Sequence, residues 1–383
     1  MMLPRAMGIL ACLMAICVTG CEMPWLYGDS TAPIILGIED DEALLQVQEF
    51  KQGDFTRTSA WRLDLKTGDM QELLEPPISA RWAVAGDFFV MEDVTAAYET
   101  EGFVVGRFST GDQATISDRT DAPAGTHFVD GYGIDGERAV VGVENGVLVY
   151  DLATFSEVRR IEVPEKVQEI RAFRHGRIFA AGWEDSGNFE WNGWEELYLV
   201  DSATGEVTLL PDAPRDGELY SVYRNVHLTD EWLVMDQSVV VGDSTDTGSW
   251  AWLKSDPVIR DEILAYNIAS GDWKVLYQSE SYDPDTLGSF ETGLIGGDET
   301  RVLARSMSLL PGALRLEAID LDTGDSSLLT ETTGRYLKIA LEYGSPYLVN
   351  ERLYWIDLTT NELVIRDLGT GQEQRIPTIE PPL

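Results

Sequence analysis

One pattern recurs along most of the chain and limits what it can become. An alternating apolar stretch ends in Asp or Asn, a turn such as Thr-Gly follows, and a second alternating stretch comes next. The clearest copies are WRLDLKTGDMQELL (61 to 74), VLVYDLATFSEVRRI (147 to 161), ELYLVDSATGEVTLL (196 to 210), ILAYNIASGDWKVLY (263 to 277), LEAIDLDTGDSSLL (316 to 329) and LVIRDLGTGQEQRI (363 to 376). FVVGRFSTGDQATI (103 to 116) is a degenerate seventh. Each copy reads as a hairpin. Period-2 alternation aims one face at a core, and Asp or Asn beside Gly supplies the positive φ and side-chain-to-backbone bonds of a tight turn. The anchors Asp64, Phe108, Asp151, Asp201, Asn267, Asp320 and Asp367 follow one another at 44, 43, 50, 66, 53 and 47 residues.

Two further apolar runs lie between successive hairpins, for instance ARWAVAG and DFFVMED (80 to 93) or EIRAFRHG and RIFAAGW (169 to 183). Four strands per unit, seven times over, predict an all-β ring: a β-propeller of seven four-stranded blades over residues 34–383. Six or eight blades remain open, and a pair of β-sandwiches would need no regular spacing. No helical periodicity appears after residue 33. IILGI (34 to 38) either opens the first blade or completes the last, and RWAVAG, RAFRHG and YLKIALEYG read as inner strands.

The N-terminus has a different character. Arg5 precedes an apolar run at residues 6 to 18 (AMGILACLMAICV) that is too short to span a bilayer comfortably, so residues 1–20 read as a signal peptide. Val18-Thr19-Gly20-Cys21 then resembles the lipobox of bacterial lipoproteins, with Val where that family more often has Leu. The resemblance implies lipidation of Cys21, a tether over residues 21–33, and anchoring in the bacterial envelope. An ordinary secretory signal or an uncleaved anchor is the alternative. Several acyl chains anchor stably where one is marginal. Glu22 stands where an Asp would resemble an inner-membrane retention signal, which leans the placement towards the outer membrane. The only cysteines are Cys12, Cys17 and Cys21, so the mature body holds itself together by packing, without disulfides.

The Asp-Leu-x-Thr-Gly-Glu/Asp turn between outer strands resembles that of TolB-like, PQQ-like and related bacterial WD40-like propellers. The Trp-Asp pair of true WD40 repeats is missing. Such folds host many functions, so the resemblance implies shape and little chemistry.

Charge narrows the partners. With 66 acidic against 28 basic residues and a net charge of −38, binding to nucleic acid through a basic patch is disfavoured. His127, His175 and His227 show no short metal-ligand spacing and read as packing or surface residues. No metal site or cofactor is expected. Ca²⁺ is the one ion weighed, at Glu39-Asp40-Asp41-Glu42, at Asp130, Asp135 and Glu137, and at Asp243 and Asp246, none of which forms an EF-hand loop. No nucleophile elbow or Walker loop is present, and no catalytic residue is assigned.

The longest insertions, at 183–196, 242–262 and 279–291, all fall in connections that leave one face of the ring. They carry Trp183, Phe189, Trp191, Trp194, Trp250, Trp252, Tyr282 and Phe290, a candidate binding rim, since aromatics on long loops give contact area at low entropic cost. The reading is a lipid-anchored, non-enzymatic interaction scaffold with a protein partner in the envelope. The alternative is a propeller enzyme, a lactonase-like hydrolase or polysaccharide lyase, with or without Ca²⁺.

Overall fold

The structure, a computed structural model, describes residues 30–51, 54–74, 81–94, 100–118, 127–183, 195–214, 216–221, 225–241, 258–280, 290–308, 314–332, 346–357 and 360–378. These residues form seven antiparallel sheets, built from 30–74, 81–118, 132–162, 167–209, 218–278, 290–332 and 347–377. Each sheet takes its strands in chain order. In the fifth, the innermost strand comes in two pieces, Glu218–Ser221 and Val226–Leu228, both paired with Trp232–Val240. The first strands of successive sheets touch in order around the ring, and the first strand of the seventh, Tyr347–Val349, touches that of the first, Ser30–Glu39. The molecule is a seven-bladed β-propeller.

Alternation in the middle strands serves two cores at once. In the second strand of blade three, Arg138–Val143, the side chains of Ala139, Val141 and Val143 pack towards blade two while Val140 packs towards blade four. With both faces covered, the strand reads as a continuous apolar run. Among the described residues the buried apolar side chains sort into seven clusters, one at each interface between blades. Each fully buried Leu, Ile or Phe contributes about 1.5–3 kcal/mol by leaving water.

Ile34–Ile38 question settles in favour of the first blade: Ile34 and Ile35 lie in its innermost strand, opposite Gln46 and Leu45. That strand starts at Ser30, four positions before the expected boundary. The described strands of the seventh blade all come from residues 347–377, so among the described residues no strand crosses between the ends of the chain. Closure rests on packing. Ile35, Ala43, Leu45, Leu63 and Leu65 meet Tyr354, Ile356, Leu363, Ile365 and Ile376. Two hydrogen bonds accompany them, Tyr347 Oη to the Leu36 carbonyl at 3.4 Å and Gln374 Nε2 to the Leu65 carbonyl at 3.2 Å. The inner strand expected at 336–344 lies outside the described residues, and the first described strand of this blade is Tyr347–Val349.

The recurrent turn joins the third and fourth strands of every blade. The anchor ends the third strand, and its side-chain oxygen accepts from backbone amides two or three residues on. Asp64 Oδ1 takes the amides of Lys66 at 2.8 Å and Thr67 at 2.7 Å, and Asn267 Oδ1 takes those of Ala269 and Ser270 at 3.1 and 2.8 Å. Gly68, Gly111, Gly205, Gly271, Gly324 and Gly371 then adopt φ of 72–79°, which is why Gly recurs there. In blade two the anchor position belongs to Arg107 and not to Phe108. The Arg107 amide bonds Asp112 O at 2.9 Å just as the Asp64 amide bonds Asp69 O, while Phe108 is buried like Leu65. Arg107 has no carboxylate to give. Asp87, from the neighbouring turn of the same blade, supplies one, its Oδ1 accepting the Ser109 amide at 2.8 Å.

Blades five and six are joined by buried carboxylates as well as by apolar packing. Asp236, 4% exposed, accepts from the Asn225 amide at 2.8 Å, from Asn225 Nδ2 at 3.1 Å and from the Leu294 amide at 3.0 Å. Asp261 accepts the Thr292 amide at 2.7 Å and the Ser238 hydroxyl. Leu294 and Thr292 lie on the innermost strand of blade six, Phe290–Gly297, whose amides on that side have no neighbouring strand to bond. A buried amide without a partner is costly, so a blade-five carboxylate fills each gap.

Candidate functional site

Because the strands of a blade are antiparallel and consecutive, first-to-second and third-to-fourth turns share one face, while second-to-third and blade-to-blade connections share the other. On the first face, the first-to-second turns of blades four, five and six bring their polar side chains together. His175 Nδ1 stands 3.3 Å from Asp230 Oδ1, and its Nε2 stands 3.0 Å from Glu299 Oε1. Arg174 Nη2 reaches the same Glu299 oxygen at 2.5 Å, and the Asp230 amide donates to Glu299 Oε2 at 3.1 Å. Arg177 donates to the Asp230 carbonyl. One ligand atom from each of His175, Asp230 and Glu299 can be chosen so that all three lie within 4.8 Å of one another.

Partial burial pushes the Glu299 carboxyl up, but the Asp230 amide, Arg174 and His175 outweigh it and hold the group below the ordinary carboxylate range. The other two histidines also bridge units. His127 Nε2 meets the Val167 carbonyl of blade four at 3.0 Å, and His227 Nε2 of blade five meets the Asp298 carbonyl of blade six at 2.9 Å. The packing role read from sequence fits His127 and His227. His175 is the exposed one of the three, and both its ring nitrogens face carboxylates.

His227 yields a prediction. Burial pushes its imidazole down, so the folded state holds it neutral while the unfolded chain protonates near an ordinary value of about 6.5. Its contribution is present above that value and lost as the pH falls below it, with a slope of at most about 1.4 kcal/mol per pH unit. Urea midpoints between pH 8 and 5 should fall with acidity, and His227→Gln should flatten that slope. A second loss is expected further down. The Thr67, Thr154, Thr204, Thr323 and Thr370 amides and hydroxyls hold the turn carboxyls of Asp64, Asp151, Asp201, Asp320 and Asp367 below their ordinary range. That stability is intact above about pH 4 and lost as the pH drops through the lowered values.

The aromatic rim expected from sequence lies largely outside the described residues. That holds for Phe189, Trp191, Trp194, Trp250, Trp252 and Tyr282, and for Cys21. Trp183 ends the second strand of blade four opposite Glu195, and Phe290 opens blade six opposite Ser308. Among the weighed acidic clusters, Asp40 and Asp41 form the first-to-second turn of blade one, where Asp41 pairs with Lys66. Asp135 Oδ2 accepts the Gly176 amide at 3.3 Å. Asp243 and Asp246 lie outside the described residues.

No protein-family model matches the sequence, and no curated protein matches it. Solved structures do. The chain is similar to the β-propeller domain of the trilobed protease from Pyrococcus furiosus, described as having an open velcro topology, with a TM-score of 0.55 at 10% identity over 93% of this chain and 98% of that one. The likeness is one of fold. A prolyl endopeptidase gives a TM-score of 0.52 at 11% identity over 94% of this chain and 51% of that one, so the propeller here spans about half the length of that enzyme. Oligogalacturonate lyase in complex with manganese gives 0.50 at 9% identity, covering 91% and 89%.

Proposed function

We propose that the chain is a lipid-anchored interaction scaffold of the bacterial envelope, tethered through Cys21 and presenting the face that carries its long connections to a protein partner. Its subtype in this reading is that of the TolB-like, PQQ-like and WD40-like propellers, on the strength of the Asp-Leu-x-Thr-Gly turn.

The observation that carries the reading is topological. Residues 184–194 and 242–257 join the second and third strands of blades four and five, and 281–289 joins blade five to blade six. The described strand ends that bear these three connections lie on one face of adjacent blades, opposite the His175 cluster. Aromatic-rich segments on neighbouring rigid sheets can act as a single contact surface. The placement near a membrane rests on the resemblance to a lipobox. With the first strand starting at Ser30, residues 22–29 reach roughly 30 Å at most, which keeps the ring close to its lipid.

Two measurements test the proposal. Crosslinked capture from native envelopes should lose its partner when 184–194 is replaced by a short Gly/Ser turn. Equal capture by both forms sinks the rim, and a specific turnover of lactones or polysaccharides would instead favour the enzyme reading. Cys21→Ser should move the protein from the membrane to the soluble fraction, and an unchanged distribution overturns the anchor.

A further inference from the structure

We infer that His175, Asp230 and Glu299 form a binding site for one divalent first-row transition-metal ion, Zn²⁺ foremost, set where three blades meet. This is independent of the scaffold reading and concerns the opposite face.

The donor set fixes the class of ion. One imidazole nitrogen and two carboxylate oxygens suit a borderline cation such as Zn²⁺ or Mn²⁺. Ca²⁺ and Mg²⁺ prefer oxygen throughout, in sixfold coordination or higher. The three donors lie close enough together for one ion. Around a tetrahedral Zn²⁺ with bonds of about 2.0–2.2 Å, neighbouring ligand atoms sit roughly 3.3–3.6 Å apart. His175 Nε2 and Glu299 Oε1 already stand 3.0 Å apart, and the full set spans at most 4.8 Å. The Asp230 side chain is 71% exposed, so a rotamer adjustment brings its oxygen in without disturbing the core.

Support around the ligands is in place. Glu299 is oriented at both oxygens, by Arg174 on Oε1 and by the Asp230 amide on Oε2, the kind of outer partners that ligating carboxylates carry. His175 Nε2 and Glu299 Oε1 are close enough for one ion to bridge them. Three protein ligands leave at least one position for water or a further ligand. The net charge of −38 raises the concentration of divalent cations near the surface, although salt screens this beyond about 10 Å.

The ion would tie the first-to-second turns of blades four, five and six, linking residues as far as 124 positions apart.

The test uses the full-length, detergent-solubilised protein, stripped with a chelator and dialysed against Zn²⁺ alone in 150 mM salt, about the ionic strength at which diffuse attraction is well screened. One equivalent should bind. His175→Ala, Asp230→Asn and Glu299→Gln should each lower the affinity by about tenfold or more, the loss that disturbing even a supporting partner of a ligand brings. Glu137→Gln, a charge removed from the corresponding turn of blade three, should leave it unchanged. Nitrogen-detected NMR needs no variant: only three histidines are present, so Zn²⁺ should shift the ring nitrogens of one of them and spare the other two. Binding that survives His175→Ala, several weak equivalents, or a Zn²⁺ response at His127 or His227 would overturn the site.

Discussion

Ile356→Ala is expected to lower the unfolding free energy by about 2–5 kcal/mol, measured by urea denaturation. Ile356 is fully buried in the cluster shared by blades seven and one, facing residues of the first blade that no strand of the last blade pairs with. The same loss is expected of Ile178→Ala, equally buried between blades three and four. The two should differ in where the ring loosens. Blades three and four stay joined by the chain and by the bonds between Asp130 and blade four, from the Asp130 amide to Gln168 O at 2.6 Å and from the Ile170 amide to Asp130 O at 2.7 Å. Among the described residues, blades seven and one share packing and a few side-chain bonds. Amide exchange in the first strand, Ser30–Glu39, should therefore accelerate in Ile356→Ala and not in Ile178→Ala. Identical exchange in both would show that the open seam is no weaker than a continuous interface.

Asp236→Ala should be nearly as damaging although it removes no apolar volume. It leaves the Asn225 amide, the Asn225 side-chain amide and the Leu294 amide without their acceptor, at about 1–3 kcal/mol for each donor that water cannot reach. Relaxation and entering water offset part of that, so a total of about 3 kcal/mol is expected. Asp236→Asn keeps one oxygen and should recover part of the loss. The Leu294 amide is the local reporter, because its exchange should quicken in Asp236→Ala even where the protein stays folded. A variant as stable as the parent would mean that the carboxylate is not what joins blade five to blade six.

The blade pattern was legible because a hairpin turn is decided by residues three or four apart. Asp320, Thr323 and Gly324 build their turn almost wholly from their own backbone, and any sequence containing them in that order shows it. Blade two shows the limit. There the carboxylate comes from Asp87, 22 positions before Ser109, and a reading by turn residues alone placed the anchor one position late at Phe108. Closure was ambiguous for a related reason: Ile34 and Ile35 are apolar enough for either end of the ring, and only pairing with Gln46 and Leu45 decides.

The cluster at His175 was invisible one residue at a time. Each member is an ordinary polar residue in an ordinary turn. A signal existed nonetheless, since His175, Asp230 and Glu299 each precede the start of their blade's second strand, at Arg177, Trp232 and Arg301, by two positions. Aligning the repeats on those strands, and not only on the outer hairpins, places all three at one structural position. The corresponding residues of the other blades are Asp40, Gly86, Gly136 and Asn350, which include neither a histidine nor an adjacent pair of acids.

A ring whose described first and last blades meet without exchanging a strand has a consequence for how the polypeptide is made. Leu36 and Tyr347, which touch in the finished molecule, lie 311 residues apart. At about 5–20 residues per second, roughly 15–60 s of synthesis separate them. Through that interval Ile35, Leu45 and Leu63 have no seventh blade to cover them, and the first sheet presents an uncovered apolar side to the cell. The newborn chain is thus sticky at its leading end and becomes safe only when its last blade arrives, so a holding chaperone or a delay in folding matters most for the part that emerges first.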